Sequence, residues 1–219
     1  MMKIARQMKL TRTSKKYGIS ARVLLGGELV VSAGYAVSEN EIRDFLMSHK
    51  RWIAKHIKAQ EDKAQYKDKY SSLDVTLLHG KDVPIVYTDE GVSHYDGERV
   101  HIRPVGDKRT ALETWYKAYA SDYLRRMYHE VAGDIVPLRL KSVKTYYGIC
   151  YNRRDMSYIC LNLALVHADD ECIRYVINHE ITHLTVPNHS ERFYRELAKR
   201  EPRYVELRAR LKRTVLVTE

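Results

Sequence analysis

The sequence predicts an α+β fold, in which a β-rich amino-terminal region is followed by a long helix and then by further strands and helices. Three observations indicate this class. Short β-rich segments surround glycine turns in the first hundred residues, residues 108–133 have an unbroken helical pattern, and a strand-like segment leads directly into a helical one at residues 156–184.

Four segments of the amino-terminal half are predicted to contain six strands. Residues 17–34 contain two β-rich runs around a Gly-Gly pair, and residues 92–102 contain two runs around Asp-Gly. Both the Gly-Gly and the Asp-Gly dipeptide are typical of tight hairpins. Residues 75–80 and 83–88 are also rich in apolar and β-branched side chains, so we expect further strands there.

A helix is predicted over residues 38–60, because Ser38 and Glu41 have capping-box spacing and apolar residues follow at helical intervals. Residues 61–72 mix charges without apolar periodicity, which predicts either a linker or a continuation of that helix. We assign residues 1–108 to a β-rich accessory region containing this helix.

Residues 109–219 are assigned to a second domain. Its long first helix ends before Gly133, a typical C-terminal cap. The predicted segments are, in order, a helix, two strands and three helices: residues 108–133, 140–150, 156–166, 168–184, 191–200 and 202–211.

The charge of the chain is concentrated at its amino-terminal end. The 219 residues have a formal net charge of +10, and residues 1–60 contain 12 Lys and Arg against 4 Asp and Glu. Such a basic segment can attract nucleic acid, an anionic membrane or an acidic substrate, or can simply keep the protein soluble. Nucleic acid is therefore a candidate partner for residues 1–60.

The cysteines and the hydropathy pattern predict a cytoplasmic protein with no membrane partner. The three cysteines are odd in number and form no C-x-x-C pair, which argues against a secreted disulfide framework. No segment resembles a signal peptide or a membrane span. Glycine-rich phosphate-binding loops are also absent from the sequence.

The segment INHEITHLTVPNHSERFY, residues 177–194, contains the most specific chemistry. His179 and His183 are four residues apart, so a helix places both imidazoles on one face, where they can bind one Zn²⁺. Glu180 points away from that axis and can act as the base for a metal-bound water.

A catalytic zinc needs a third protein ligand and an open position. His189 is the candidate, but a continuous helix would carry it away from the metal. The helix must therefore end within residues 184–188, where Pro187 disfavours helix in the residue before it and Asn188 tolerates a left-handed conformation.

Four other histidines are less specific. His49 and His56 lie near the apolar stripe of the first helix without acidic or cysteine partners at metal spacing. His94 and His101 would face each other across the Asp-Gly hairpin, but two ligands are too few for a zinc site. We expect packing or surface roles for all four.

These motifs resemble the YgjP-like metallopeptidase family. The resemblance rests on Y-V-V-x-H-E-L-x-H-L, on N-H-S-x-x-F-W and on an upstream G-S-C…I-x-L-N segment. The matching residues are Tyr175, Val176, His179, Glu180, His183, Leu184, Asn188, His189, Ser190, Phe193, Gly148, Cys150, Ile159, Leu161 and Asn162. The chain departs from the pattern at Tyr147, Ile149 and Tyr194, where the family has tryptophan, serine and tryptophan.

The resemblance implies a zincin-like catalytic domain with one Zn²⁺ per chain. It assigns His179, His183 and His189 as ligands and Glu180 as the catalytic base. It also implies relatedness to WLM and SprT-like metalloproteases, of which the WLM type acts on proteins bound to DNA; for this chain that comparison is an analogy only.

Zinc-dependent peptide hydrolysis is the leading functional prediction, with a peptide or protein as the substrate. A side-chain donor would stabilise the oxyanion, and Tyr147, Tyr151 and Arg153 are the candidates for that contact. The strand within residues 156–165 could present its edge to an extended peptide.

Two alternatives remain open from the sequence. The first is a metal-dependent phosphohydrolase acting on nucleotides, favoured by the nearby basic residues Lys141, Lys144, Arg153 and Arg154. The second is a nucleic-acid-associated protease or a non-enzymatic binding module, in which one of the three cysteines would complete a structural zinc site.

Overall fold

Contacts within the chain separate it into two units, residues 1–71 and residues 72–219. The computed structural model describes residues 8–143 and 145–212, apart from the side chains of residues 66 and 67. These residues form three small sheets and six α-helices, one of them 25 residues long. The predicted α+β class is confirmed.

The first unit contains a three-stranded sheet. Its strands are β1 (Met8–Thr13), β2 (Ile19–Val23) and β3 (Leu29–Gly34). The order is β1-β3-β2, with β1 parallel and β2 antiparallel to the central strand. The predicted Gly-Gly hairpin connects β2 to β3, and both glycines adopt the left-handed conformation, with φ of 86° and 89°.

Two helices follow where one was predicted. Helix α1 (Glu39–Ser48) begins with the predicted capping box, since Ser38 and Glu41 each bond the other's backbone N–H. The helix breaks at His49, and α2 (Lys50–Ser71) continues through the segment that we considered as a linker. Its glutamate, lysine, glutamine and alanine residues are strong helix formers, which explains the continuation.

The second unit begins with a four-stranded sheet, β4 (Val75–Leu78), β5 (Lys81–Tyr87), β6 (His94–Tyr95) and β7 (Val100–Ile102). The order is β4-β5-β7-β6. The predicted Asp-Gly turn joins β6 and β7, and the Asp96 carboxylate accepts bonds from the N–H groups of Glu98 and Arg99.

The division after Ser71 differs from the predicted boundary between residues 108 and 109. Strands β4, β5 and β7 bury their apolar side chains against Trp115 and Ala120 of helix α3 (Lys108–Ala132). This sheet therefore shares a core with the long helix, a tertiary contact that the sequence pattern does not reveal. Gly133 ends α3 in the left-handed conformation, as predicted.

A third sheet and three helices complete the second unit. The strands β8 (Leu138–Lys141), β9 (Gly148–Arg153) and β10 (Met156–Asn162) have the order β8-β10-β9. A short 3-10 helix over residues 163–167 follows, and then come α4 (Asp170–His183), α5 (Glu191–Arg200) and α6 (Tyr204–Leu211). None of the described helices is long and apolar enough to cross a membrane.

The predicted strand over residues 140–150 is wrong, because the structure places two separate strands and an intervening segment there. Asn162, which is fully buried, holds that segment: its amide donates to the carbonyls of Val143 and Tyr146 at 2.7 and 2.9 Å. Its carbonyl oxygen also accepts the N–H of Ala164 at the start of the 3-10 helix, so β10 ends at this residue.

Candidate metal centre

Helix α4 places the HExxH motif, residues 179–183, beside the core. The Asp169 side chain caps the helix by accepting the N–H of Cys172 at 3.0 Å. Asp170 and Glu171 follow in the first turn, where the helix dipole favours negative charge. One face of the helix is buried in the main core of the unit: Ile173, Val176, Ile177 and Ile181. This burial fixes the direction in which the motif points.

The chain reverses directly after His183. The N–H of Val186 bonds the carbonyl of Thr182 at 3.0 Å, and the His183 ring nitrogen Nδ1 lies 3.1 Å from the Val186 carbonyl. Asn188 does not adopt the left-handed conformation that we considered. The described non-glycine residues with positive φ are Leu73, His79 and Asp134.

The reversal brings His189 back to the helix. Its Nε2 atom lies 3.0 Å from Nε2 of His179, and the candidate ligand nitrogens of His179, His183 and His189 all lie within 4.8 Å of one another. Among the described residues, these three form the one group of three or more His, Cys, Asp or Glu side chains with such convergence. The structure therefore assembles the three predicted ligands.

Phe193 packs against all three imidazoles. This fully buried ring on α5 has centroid distances of 4.9 Å to His179, 4.5 Å to His183 and 4.8 Å to His189. The contacts are tilted or edge-on, as aromatic pairs prefer. Phe193 thus forms an apolar wall that limits the orientations available to each ring.

The histidine group fits a tetrahedral metal ion. Nitrogens bound to zinc at its usual bond length are about 3.3 Å apart, close to the observed 3.0 Å between His179 and His189. The Nδ1–H of His183 donates to the Val186 carbonyl, which leaves Nε2 as the unprotonated ligand atom. Nδ1 of His179 is buried and has no hydrogen-bond partner among the described residues.

The protonation of the imidazoles also suits a metal. Burial, together with the neighbouring histidines, lowers the pKa of His179 to about 3. Burial lowers the pKa of His183 as well. Both rings are therefore neutral near pH 7, which is the form that binds a cation.

Glu180 is the buried carboxylate of the site. Its side chain is only 5% exposed, and this burial raises its pKa to about 7. The backbone N–H of Cys150 on β9 donates to the carboxylate and opposes part of that rise. A carboxyl group with such a pKa can both accept and release a proton near neutral pH.

Gly148 allows β9 to lie close to Glu180. A Cβ atom at this position would lie 2.9 Å from Cγ and 3.0 Å from Oε1 of Glu180, and 3.0 Å from Val176. Real Cβ atoms hardly ever approach another atom to 2.9 Å. The strand can therefore donate its Cys150 N–H to Glu180 only while residue 148 lacks a side chain.

A cavity of about 340 Å³ opens onto the histidines and Glu180. Strand β9 and the reversal after α4 supply the rest of its wall. The lining residues are Gly148, Ile149, Cys150, Asn152, His179, Glu180, His183, Pro187 and His189. The cavity places a bound molecule beside both the candidate metal ligands and the candidate base.

The three predicted oxyanion contacts do not line this cavity. The hydroxyl of Tyr147 donates to the carbonyl of Leu211 at 3.0 Å, at the end of α6. Tyr151 stacks on Tyr158 with ring centroids 4.9 Å apart, and the Arg153 guanidinium lies over the Tyr151 ring at 5.2 Å. Tyr151 and Arg153 lie on the face of β9 opposite Gly148, Cys150 and Asn152, because strand residues alternate between two faces. Tyr147 precedes the strand.

Asn152 lines the cavity, although the sequence analysis missed it. Its amide donates to the Leu184 carbonyl at 2.8 Å, and its carbonyl oxygen accepts the Ser157 hydroxyl at 2.8 Å. The signal was present in the alternation of β9, since Gly148, Cys150 and Asn152 share one face. The alternation that places the motif residues Gly148 and Cys150 on this face places Asn152 there too, whereas Tyr151 and Arg153 lie on the other face.

The remaining predicted histidine pairs lie outside the metal centre. Ring nitrogens of His49 and His56 lie 2.8 and 2.9 Å from carbonyl oxygens four residues earlier in the chain. His94 and His101 stack with centroids 4.7 Å apart, and His101 bonds the Asp96 carboxylate at 2.7 Å. These contacts agree with packing and surface roles.

Comparisons with known proteins identify a peptidase family. A family model described as "YgjP-like, metallopeptidase domain" matches residues 18–214. The crystal structure of the metallopeptidase zymogen of Pyrococcus abyssi abylysin aligns with 42% of this chain and 90% of that chain, at 25% identity and a TM-score of 0.33. A TM-score this low does not establish a common overall fold. A comparison with curated protein sequences gave no match.

Proposed function

The chain belongs to the YgjP-like metallopeptidase family, and we propose that it hydrolyses peptide bonds with one zinc ion held by His179, His183 and His189. The observation that carries this proposal is the convergence of three imidazoles beside a buried carboxylate in one cavity. Three nitrogen ligands with an open side are typical of catalytic rather than structural zinc.

A zinc ion bound by the three histidines would polarise the substrate carbonyl and acidify a water molecule. Glu180 performs the proton transfer: its carboxylate accepts the proton of the attacking water and then releases it to the leaving nitrogen. The Cys150 N–H orients the carboxylate, and burial keeps its pKa in the range in which both transfers are accessible.

The edge of β9 is the proposed contact for the substrate backbone. The predicted edge, within residues 156–165, is unavailable because β10 is the middle strand and pairs on both sides. Strand β9 pairs with β10 alone among the described strands. The Cys150 N–H points outward to Glu180, so an extended peptide that adds to this edge lies alongside the base.

The phosphohydrolase alternative receives less support from the site. The described basic residues that favoured it, Lys141, Arg153 and Arg154, do not line the cavity, and Lys144 lies outside the described residues. The structural-zinc alternative is also weakened, because the converging group contains no cysteine among the residues that the structure describes. Cytoplasmic location stays a prediction.

The proposal is tested with zinc-loaded protein and an unfolded protein substrate, with nucleoside triphosphates in parallel. The Glu180→Gln variant is the control for contaminating activity. We expect peptide fragments with the wild-type chain alone. Release of phosphate without peptide cleavage would identify the phosphohydrolase instead, and equal cleavage by Glu180→Gln would exclude Glu180 as the base.

A further inference from the structure

The outer face of the amino-terminal sheet is unusually rich in basic and hydroxyl groups. Leu29, Val31 and Ala33 of β3 face the core of the first unit, so the alternate residues of this strand face the opposite side. In the strand register, Lys9 of β1 and Arg22 of β2 lie on either side of Val30. Thr11 and Ser20 lie in the same way on either side of Ser32. We call this surface the basic sheet face.

The side chains of β1 and β2 that flank β3 on the basic sheet face are accessible to a ligand. Lys9, Thr11, Ser20 and Arg22 are all exposed. Lys9 and Arg22 therefore form a row of two cations across the sheet. Thr11 and Ser20 form a row of hydroxyl groups beside it, two residues away along each strand. Such groups are the usual donors to nucleic-acid phosphates.

A second pair of cations reaches the same face at its far end. Gly34 continues the outward-facing positions of β3, and a Cβ atom there would lie 2.6 and 2.8 Å from the carbonyl oxygens of Lys16 and Lys15. The backbone of these lysines thus crosses the basic sheet face at Gly34. The distance along β3 from residue 30 to residue 34 is about 13 Å, the rise of four strand residues.

Two tyrosines accompany these lysines. Tyr17 and Tyr35 are 65% and 63% exposed, and the Tyr35 N–H bonds the Lys15 carbonyl at 3.0 Å. Large exposed aromatic rings beside cations provide surfaces on which unpaired bases can stack. The chain thus combines both parts of a single-strand binding surface at one end of the sheet.

Basic residues outnumber acidic ones in residues 8–63 of this unit. Residues 8–63 contain 11 Lys and Arg against 6 Asp and Glu, and within this described range no lysine or arginine forms an ion pair with a carboxylate. The second unit differs, since its Arg126, Arg174, Arg203 and Arg210 are all paired with acids. Lysines and arginines that form no ion pair with a carboxylate retain charge for binding an anion from outside.

We propose that the basic sheet face binds single-stranded nucleic acid, with Lys9, Arg22, Lys15 and Lys16 contacting phosphates and with Tyr17 and Tyr35 stacking on bases. The hydroxyl row favours this partner, because serine and threonine hydroxyls are usual donors to nucleic-acid phosphates. The proposal concerns the first unit only and is independent of the metal centre.

The test uses the full chain and a fluorescein-labelled 20-nucleotide single strand of DNA or RNA, with fluorescence anisotropy followed as salt is raised. Binding should weaken steeply with salt. Lys9→Glu/Arg22→Glu should raise Kd by at least about tenfold and reduce the salt slope by about 1.4, the value for two lost phosphate contacts. Lys15→Glu/Lys16→Glu should act in the same way.

Lys55→Glu/Lys58→Glu is the matched control, because it makes the same charge change at exposed positions of α2. It should raise Kd by less than about threefold if contacts rather than net charge dominate. Tyr17→Ala/Tyr35→Ala should weaken binding by about tenfold and leave the salt slope unchanged, because stacking releases no counterions.

Three results would overturn the proposal. One is the absence of oligonucleotide binding at 100 μM protein and low salt, roughly the limit of non-specific affinity. Another is an equal loss of affinity in the Lys9/Arg22 variant and the Lys55/Lys58 control. The third is binding to phosphatidylserine vesicles without binding to the oligonucleotide, which would assign the face to a membrane.

Discussion

Gly148 of β9 and Glu180 of α4 are in contact so close that a single added methyl group would lie 2.9 Å from the Glu180 side chain. The contact joins the strand that borders the cavity to the helix that carries the HExxH motif. It lets the Cys150 N–H reach the Glu180 carboxylate, so the position of the candidate base depends on a residue that has no chemistry of its own.

Gly148→Ala is therefore expected to lower kcat by displacing Glu180, while metal binding is retained. The effect should be at least about tenfold, since small misplacements of catalytic groups are costly. Steady-state kinetics and zinc content test this. In a Glu180→Gln background the same change should cause little further loss, because both substitutions act on one group. Additive losses would mean that Gly148 acts through another contact.

Glu180→Gln should retain one zinc per chain and lose peptidase activity by about 100- to 10,000-fold, the usual contribution of a general base. The amide fills the same buried space but cannot accept the proton. Zinc content by elemental analysis and activity on an unfolded substrate should be measured on the same sample. A variant that keeps activity would show that another group accepts the proton.

His189→Ala should weaken zinc binding by more than about 100-fold, because loss of a ligand is more severe than loss of a residue that only supports one. Competition with a chromophoric chelator measures this affinity. His49→Ala is a matched control, since His49 is exposed and its ring nitrogen contacts groups of the last turn of α1. Unchanged zinc affinity in His189→Ala would assign the third ligand to a different residue.

Phe193→Leu tests whether the apolar wall positions the three imidazoles. It should lower the free energy of unfolding by roughly 1–2 kcal/mol through lost packing. It should also weaken zinc binding by about tenfold, because the histidine rings gain freedom. Leu197→Ala, at a buried position one turn later in α5, is the control and should cost roughly 2–5 kcal/mol.

These two variants separate metal positioning from general stability. Zinc affinity should fall in Phe193→Leu and stay near the wild-type value in Leu197→Ala, although the control is the less stable protein. The absorption spectrum of cobalt-substituted protein gives a second readout of ligand geometry. Equal zinc affinities in both variants would indicate that Phe193 contributes packing alone.

The ion pairs of Glu171 predict that the free energy of unfolding falls at acidic pH. Hydrogen bonds from Arg210 and Arg203 lower the pKa of Glu171 below its ordinary value of 4.5. A lowered folded-state pKa means that the stabilisation is present above pH 4.5 and is lost as the pH falls through the folded-state value. Glu171→Gln should therefore reduce stability at pH 7, and its difference from wild type should shrink below pH 4.

Urea unfolding at a series of pH values measures this difference. Glu98→Gln is the control, because Glu98 is exposed and has no ion pair with a described residue. It should leave the pH dependence unchanged. A constant difference between wild type and Glu171→Gln across the range would mean that the ion pairs do not stabilise the folded chain.

Local signals in the sequence predicted many of the elements. The capping box at Ser38, the Gly-Gly and Asp-Gly turns and the cap at Gly133 all appear where their short-range chemistry places them. Predictions that required knowledge of partners were less successful. The strand over residues 140–150 is divided because buried Asn162 holds the intervening backbone, a contact between segments distant in sequence.

The sequence by itself predicted the family through its motifs and the α+β class through local patterns, and it singled out three histidines and a neighbouring glutamate as the candidate site. Helical spacing and turn chemistry are local properties, so the sequence reveals them. Only the tertiary structure decided which unit contains β4–β7, which strand borders the cavity and which side chains line it. It also revealed the close contact between Gly148 and Glu180 and the Phe193 wall. These features depend on packing between elements, which no local pattern encodes.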